Sequence, residues 1–320
     1  MFNSAVAASA ISAAWELGAL DELHRYEALD IHEFAMRHTL DVTSTVGMFR
    51  ALATVEIVER DGNKVTPAAN FADAYRARSF FHWLTRGSAE LFRQMPEIMP
   101  TQNRAGDFYR RDAAAIAFAC REISVLCYDP WFSKALEALD FEVHVVADLG
   151  CGSGERIMQV LRHHPEAHAV GIDIASAALN TARTDARRAG LEDRITLINA
   201  DVVALEPRPE FAEVELLTCF MMGHDFWPRQ RCVDTLQRLA RVFPNTQRFI
   251  LGDATRAAGG LDNELPLFRL GFELAHDLMG TFIPSLEDWE SVFDEGGWSV
   301  RQKHAIDMTV GEVIFELERA

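Results

Sequence analysis

Residues 143–154 read VHVVADLGCGSG. An apolar run closes on Asp148 and gives way to three glycines at alternate positions, Gly150, Gly152 and Gly154. The run has the character of a β-strand, and GERIMQVLRHH, which follows from residue 154, has the spacing of a helix. The alternation continues outward. AHAVGIDI (167–174) is a strand and ASAALNTARTDARRAG (175–190) a helix; ITLINADV (195–202), EVELLTCF (213–220) and RFILGDA (248–254) are further strands with helical segments between them. Continuous apolar strands separated by helices predict an α/β fold in which a parallel sheet is covered on both faces. Such sheets bind ligands beyond the carboxyl ends of their strands, which is where the glycines lie.

The glycine loop narrows the ligand. Without Cβ atoms the backbone comes closer to a bound molecule than other residues allow. The spacing is GxGxG rather than the GxGxxG of dinucleotide folds, and Asp148 stands two residues before the first glycine. Asp173 closes the second strand, 25 residues after Asp148. A carboxylate there is placed to accept both hydroxyls of a ribose. Asp201 closes the third strand, where an adenine amino group would lie, and Val202 and Cys219 complete the expected cofactor set. The lysine of a P-loop is missing from this segment.

Composition excludes several classes of partner. The 320 residues carry a net charge of −17, which argues against a phosphate backbone or an anionic membrane surface. Five cysteines, with no CxxC pair, read as buried thiols in a reducing compartment. The first residues, MFNSAVAASAISAAWELGALDEL, lack a basic start and are interrupted by Glu16, so they predict an amphipathic helix. No run approaches the roughly 20 apolar residues of a membrane span. A cytoplasmic protein is the expectation.

Two domains are expected, 1–95 and 96–320, with residues 96–140 a helical linker lining the substrate pocket. Residues 4–56 read as short helices, one of them ALDIHEFAMRHTLD (28–41) and the next capped by Asp41. Strand-like residues 57–60 and 64–66 flank the turn Asp61-Gly62-Asn63. Helix, helix, hairpin is the order of a winged helix. The helix that would enter a DNA groove, about residues 43–53, carries only Arg50 as a cation, so this module is expected to pack against a second copy rather than read DNA. Residues 80–135 are rich in aromatics and arginines. Trp83 and Phe108 are candidates for an apolar pocket, with Phe81, Phe268 and Phe272, and Arg104, Arg110 and Arg111 for an anion.

Residues 220–228, FMMGHDFWP, set an ionisable pair, His224 and Asp225, among core residues. A histidine in apolar surroundings is first of all a core residue with its hydrogen bonds met; the alternatives are a proton shuttle and a metal ligand. A second pair, His276-Asp277, occurs in GFELAHDLMG.

DLGCGSG, GID and NADV resemble the motifs of class I S-adenosylmethionine (SAM) methyltransferases, and the N-terminal half resembles the dimerisation domain of winged-helix small-molecule O-methyltransferases. The likeness covers nearly the whole chain. It implies a Rossmann-like SAM-methyltransferase sheet, SAM as cofactor and a homodimer. In that family a His-Asp-Trp segment after the fourth strand supplies a general base, and His224-Asp225-Phe226-Trp227 matches it. The chain departs from the family where a Gly-Gly-x-Glu-Arg-Thr segment should follow; GTFIPSLEDW stands there instead.

MMGHDFWP together with GFELAHDLMG resembles a narrower group, the metal-dependent 2-oxo acid C-methyltransferases, which act on routes to β-methyl amino acids. That resemblance implies an iron or zinc ion held by His224, Asp225 and His276, with Met221 beside it and Arg111 among the catalytic residues. Two imidazoles and a carboxylate leave positions open on a metal, which a 2-oxo acid can fill through its ketone and carboxylate oxygens. Trp83, Arg104, Phe108, Met221 and Phe272 are the expected pocket. The alternative is a metal-free O-methyltransferase with His224 as general base.

Overall fold

The computed structural model describes residues 2–256, 269–306 and 311–320. The candidate pocket residue Phe268 lies outside them. The chain divides into two compact units, Met1–Val125 and Leu126–Ala320.

The first unit is mainly helical. The helix Phe2–Glu16 carries short apolar side chains all round, and Ile11, Ala14 and Trp15 are buried. Asp30 caps the helix Ile31–Arg37 by accepting from the backbone of His32 and Glu33. Asp41 caps Val42–Ala53 through Ser44 N, as its place before an amphipathic run predicted. A three-stranded sheet follows the winged-helix order. Strand β1 (Leu29–Asp30) pairs with β3 (Lys64–Pro67), which pairs with β2 (Val58–Asp61) across the turn at Gly62. Phe34, Phe49 and Leu52 form its core with Leu20 and Leu23.

The helices of residues 96–125 belong to this unit, so the division falls 30 residues beyond the boundary expected at 95. The reason is local packing. The helix Ala113–Ile123 lies so close to the turn Trp83–Gly87 that a Cβ on Gly87 would stand 2.6 Å from Ile116 Cδ1. Asp112 N also donates to Gly87 O at 2.9 Å, and Arg78 pairs with Glu122.

The second unit is a seven-stranded mixed sheet. Strands β4 (Val145–Leu149), β5 (His168–Asp173), β6 (Ile195–Asn199), β7 (Leu216–Phe220) and β8 (Arg248–Ala254) are parallel. Strands β9 (Trp298–Ala305) and β10 (Glu312–Arg319) close one edge antiparallel. The order is β6-β5-β4-β7-β8-β10-β9. Chain direction across the sheet reverses between β4 and β7, which opens a crevice at their carboxyl ends. All seven residues of β8 are buried, as expected of a strand covered on both faces. The last two strands were not foreseen. β9 reads WSVRQKHA and is exposed over most of its middle, the mark of an edge strand.

No helix among the described residues is long and apolar enough to cross a membrane.

Candidate active site

The glycine loop lies between β4 and the helix Glu155–His163. Gly150, Gly152 and Gly154 all have positive φ, at 71°, 53° and 78°. Their surroundings differ. A Cβ on Gly150 would meet the Met222 side chain at 3.0–3.2 Å, and one on Gly154 would meet Ala182 at 3.3 Å. Around Gly152 there is no protein atom within 4 Å of that position, so the loop leaves space that a ligand can fill. Asp173 holds the loop in shape: one oxygen accepts from Gly152 N at 2.9 Å and the other from Ala175 N at 2.7 Å. Each carboxylate oxygen has a second acceptor position, so a ribose can share it.

Asp148 is 3 % exposed and accepts from Thr218 Oγ1 at 2.6 Å. Burial pushes its carboxyl up to about 7, against the opposing pull of Thr218 and Arg156. Asp201 is exposed and caps the short turn Val202–Ala204 through Val203 N. Val202 and Cys219 sit in the core cluster beneath the loop. Cys219 has no exposed surface, so its role here is packing volume rather than a wall of the crevice. Ile174, beside Asp173, is 71 % exposed. It is a large apolar side chain left in water beside the loop, which composition and spacing had not singled out.

A second constellation stands at the end of β7. The strand stops at Phe220, and the turn Gly223–Phe226 carries His224 to the end of β8. There His224 N donates to Asp253 Oδ2 at 2.6 Å, and its Nδ1 lies 2.8 Å from Asp253 Oδ1. Ala254 N also donates to Oδ1, at 2.8 Å. A Cβ on Gly223 would stand 2.9 Å from Asp253 Oδ2, so this approach requires a glycine. A carboxylate can only accept, so Nδ1 carries a proton, and in the neutral ring Nε2 then carries the lone pair.

His276 comes from the helix Arg269–Met279. Its Nδ1 is 2.8 Å from the Phe272 carbonyl, which fixes the same tautomer. The two imidazole rings are 5.2 Å apart and nearly perpendicular, and the Phe272 ring covers His276 at 4.1 Å. Both histidines are buried.

Asp225 is not part of this group. The tight turn that sends His224 inward leaves Asp225 exposed, with its carbonyl held by Arg231. Asp277 is likewise exposed and paired with Arg256 at 2.6 Å. Each His-Asp pair is therefore split, histidine in and aspartate out. Among the described residues no three His, Cys, Asp or Glu side chains converge as a metal-binding group. The expected three-ligand set of His224, Asp225 and His276 is corrected on this point: two imidazoles come together, and the carboxylate beside them is Asp253, in an orienting position. Asp253 could have been found from sequence, since a lone acid ends an otherwise apolar strand at the ligand side of the sheet.

Met221 lies in the turn next to Tyr128, whose hydroxyl donates to its sulfur at 2.9 Å. The remaining pocket candidates belong to the first unit. Trp83 is buried there, Arg104 stacks over Phe108 at 5.1 Å, and Arg111 is half-buried.

A parallel sheet with this strand order, an open glycine loop and a carboxylate at the end of the next strand define a nucleoside-binding enzyme fold of the methyltransferase type. Residues 146–245 match the family described as a methyltransferase domain. The chain is 47 % identical over 328 residues to methyltransferase ungE' of Aspergillus campestris (strain IBT 28561), covering 100 % of this chain and 96 % of that protein. It is 26 % identical over 314 residues to the indolepyruvate C-methyltransferase of Streptomyces griseus, covering 95 % and 89 %. Among solved structures it resembles the mitomycin 7-O-methyltransferase MmcR, with a TM-score of 0.70, 18 % identity and coverage of 100 % and 96 %. That last likeness speaks for the fold. The chain belongs to the SAM-dependent methyltransferases.

Proposed function

We propose that this methyltransferase transfers the methyl group of SAM to carbon 3 of a 2-oxo acid, giving the precursor of a β-methyl amino acid. The observation that carries this reading is the pair of buried imidazoles, each locked through Nδ1 so that Nε2 is the electron-pair donor. The whole-length likeness to a protein named indolepyruvate C-methyltransferase supports it.

In the transfer, carbon 3 of the substrate gives up a proton to solvent water and becomes the carbon nucleophile of an enolate. Its electron pair forms the bond to the methyl carbon, and the pair of the breaking S–CH3 bond stays on sulfur as a neutral thioether. The donor is already activated, so the protein's share is alignment and stabilisation of the enolate. Gly152 and Asp173 hold the cofactor. Asp253 fixes the ring orientation and tautomer of His224. The Phe272 carbonyl does the same for His276. His224 and His276 fit two positions of a metal site, and a metal held there would stabilise the negative charge on the substrate's ketone oxygen.

A second reading is favoured by one specific observation. The Asp253–His224 contact has the form of an oriented general base. On that reading His224 Nε2 takes the proton of a hydroxyl, and the product is an O-methyl compound without metal.

The experiment uses the purified enzyme, a panel of aromatic, branched and guanidino 2-oxo acids, and SAM labelled in the methyl group. Label on carbon 3, with chelator-sensitive turnover and loss of metal and activity together in His276→Ala, supports the first reading. Label on oxygen, with full activity after chelation, overturns it in favour of the second. Met221 and Phe272 remain the proposed substrate contacts of the second unit. We also propose a homodimer formed through the first unit, on whose leading helix Phe2 and Val6 are 84 % and 49 % exposed.

A further inference from the structure

Met221 has a backbone φ of 55°. Among the described residues of the second unit it is the only non-glycine with positive φ; the others, Glu27, Thr39 and Glu56, lie in the first unit. A side chain in the left-handed region is strained, and such residues persist only where their surroundings hold them. Here the residue is the joint between β7 and the turn that carries His224, three positions on.

Two contacts hold the joint. Met221 N donates to Gly252 O at 2.9 Å, which extends the β7–β8 ladder one step past the strand. Its sulfur accepts the Tyr128 hydroxyl at 2.9 Å. Tyr128 has no exposed surface, and its ring meets Phe220 edge-on at 5.5 Å. Burial, with the charges of Glu312 and Asp253, pushes its ionisation well above the usual tyrosine range, so the hydroxyl stays a donor. A thioether is a weak acceptor. A buried hydroxyl committed to one is therefore placed for geometry rather than for the strength of the bond.

We propose that Tyr128 is a positioning residue for His224: by holding the Met221 sulfur, it keeps Met221 in the left-handed conformation that sets the His224 turn against Asp253. The proposal concerns the placement of the imidazole and rests on the reading above only for its effect on turnover.

The test pairs a spectroscopic signal with a conformational rescue. Tyr128→Phe removes the hydroxyl and keeps the ring. Binding of S-adenosylhomocysteine by calorimetry checks that the variant is folded. The downfield Nδ1 proton of His224, seen by NMR through its bond to Asp253, should broaden or shift. The kcat should fall roughly fivefold, the equivalent of one neutral hydrogen bond, with KM little changed. Asparagine tolerates the left-handed region, so adding Met221→Asn to Tyr128→Phe should restore the signal. If Tyr128→Phe does not fold, Met221→Leu, which removes the sulfur but keeps the tyrosine, should give the same loss. An unchanged Nδ1 signal, or a change of that signal that Met221→Asn does not reverse, overturns the proposal. A signal that moves and is restored while turnover stays constant leaves the proposal standing and removes His224 from the proposed chemistry.

Discussion

Replacing Asp253 by Asn tests the core of the site with a change of one atom. The carboxylate receives three N–H groups: His224 N on Oδ2, and His224 Nδ1 and Ala254 N on Oδ1. An amide has one accepting oxygen and one donating nitrogen. With its nitrogen in place of Oδ2, the His224 backbone N–H loses its acceptor. With its nitrogen in place of Oδ1, Ala254 N loses its acceptor and His224 must move its proton to Nε2. Either orientation leaves one backbone donor unmet at a buried residue. That costs about 1–3 kcal/mol of stability, which lowers the melting temperature by about 2–4 °C per kcal/mol for a unit of this size.

The effect on turnover is separate. A charge-assisted hydrogen bond to the imidazole is worth about 1.5–3 kcal/mol, so kcat should fall about 10- to 150-fold, and further where the tautomer changes. The assay is methyl transfer from labelled SAM to the best 2-oxo acid of the panel. Calorimetric binding of S-adenosylhomocysteine should be unchanged, because Asp253 lies on β8 and the glycine loop follows β4. A variant that turns over within twofold of the parent would refute the assignment of Asp253 as the residue that orients His224.

Gly152→Val should abolish SAM binding in calorimetry, since it fills the open space of the loop and puts a branched side chain at a φ of 53°. Asp148 gives a pH dependence whose sign is fixed. Its folded carboxyl is raised to about 7 by burial, so between the ordinary carboxylate value and about 7 the folded state holds a proton that the unfolded chain has lost. Its contribution to stability is therefore full below the unfolded value and is lost as pH rises toward 7; urea melts of Asp148→Asn should lose that decline, and a parallel pH profile in parent and variant would refute it. The full-length protein should sediment as a dimer at micromolar concentration and show no DNA binding at moderate salt; a monomer would remove the proposed role of the first unit.

Much of this protein was decided by local pattern. The apolar runs at 145–149, 168–173, 216–220 and 248–254 specify buried parallel strands, because a strand covered on both faces has no polar side to show. The glycine spacing and the acids at 148 and 173 specify the cofactor end of the sheet, because those properties belong to the backbone and to a few adjacent residues. Asp41 as a helix cap is legible for the same reason.

What local pattern leaves open is direction. His224 and Asp225 are neighbours in the chain, and nothing in FMMGHDFWP says which of them turns inward. The turn after the left-handed Met221 decides it, and the partner that makes the choice, Asp253, lies 29 residues away on the next strand of the sheet. His276 reaches His224 from a helix 52 positions on, and its tautomer is set by a carbonyl of its own helix. The edge strands β9 and β10 belong to the same category, since a half-exposed strand gains its character from the neighbour it pairs with. Short-range spacing fixes strands, caps and glycine loops because the forces involved act within a few residues. The composition of the catalytic group depends on which side chains the packed sheet brings within hydrogen-bond reach, and only the tertiary structure supplies that.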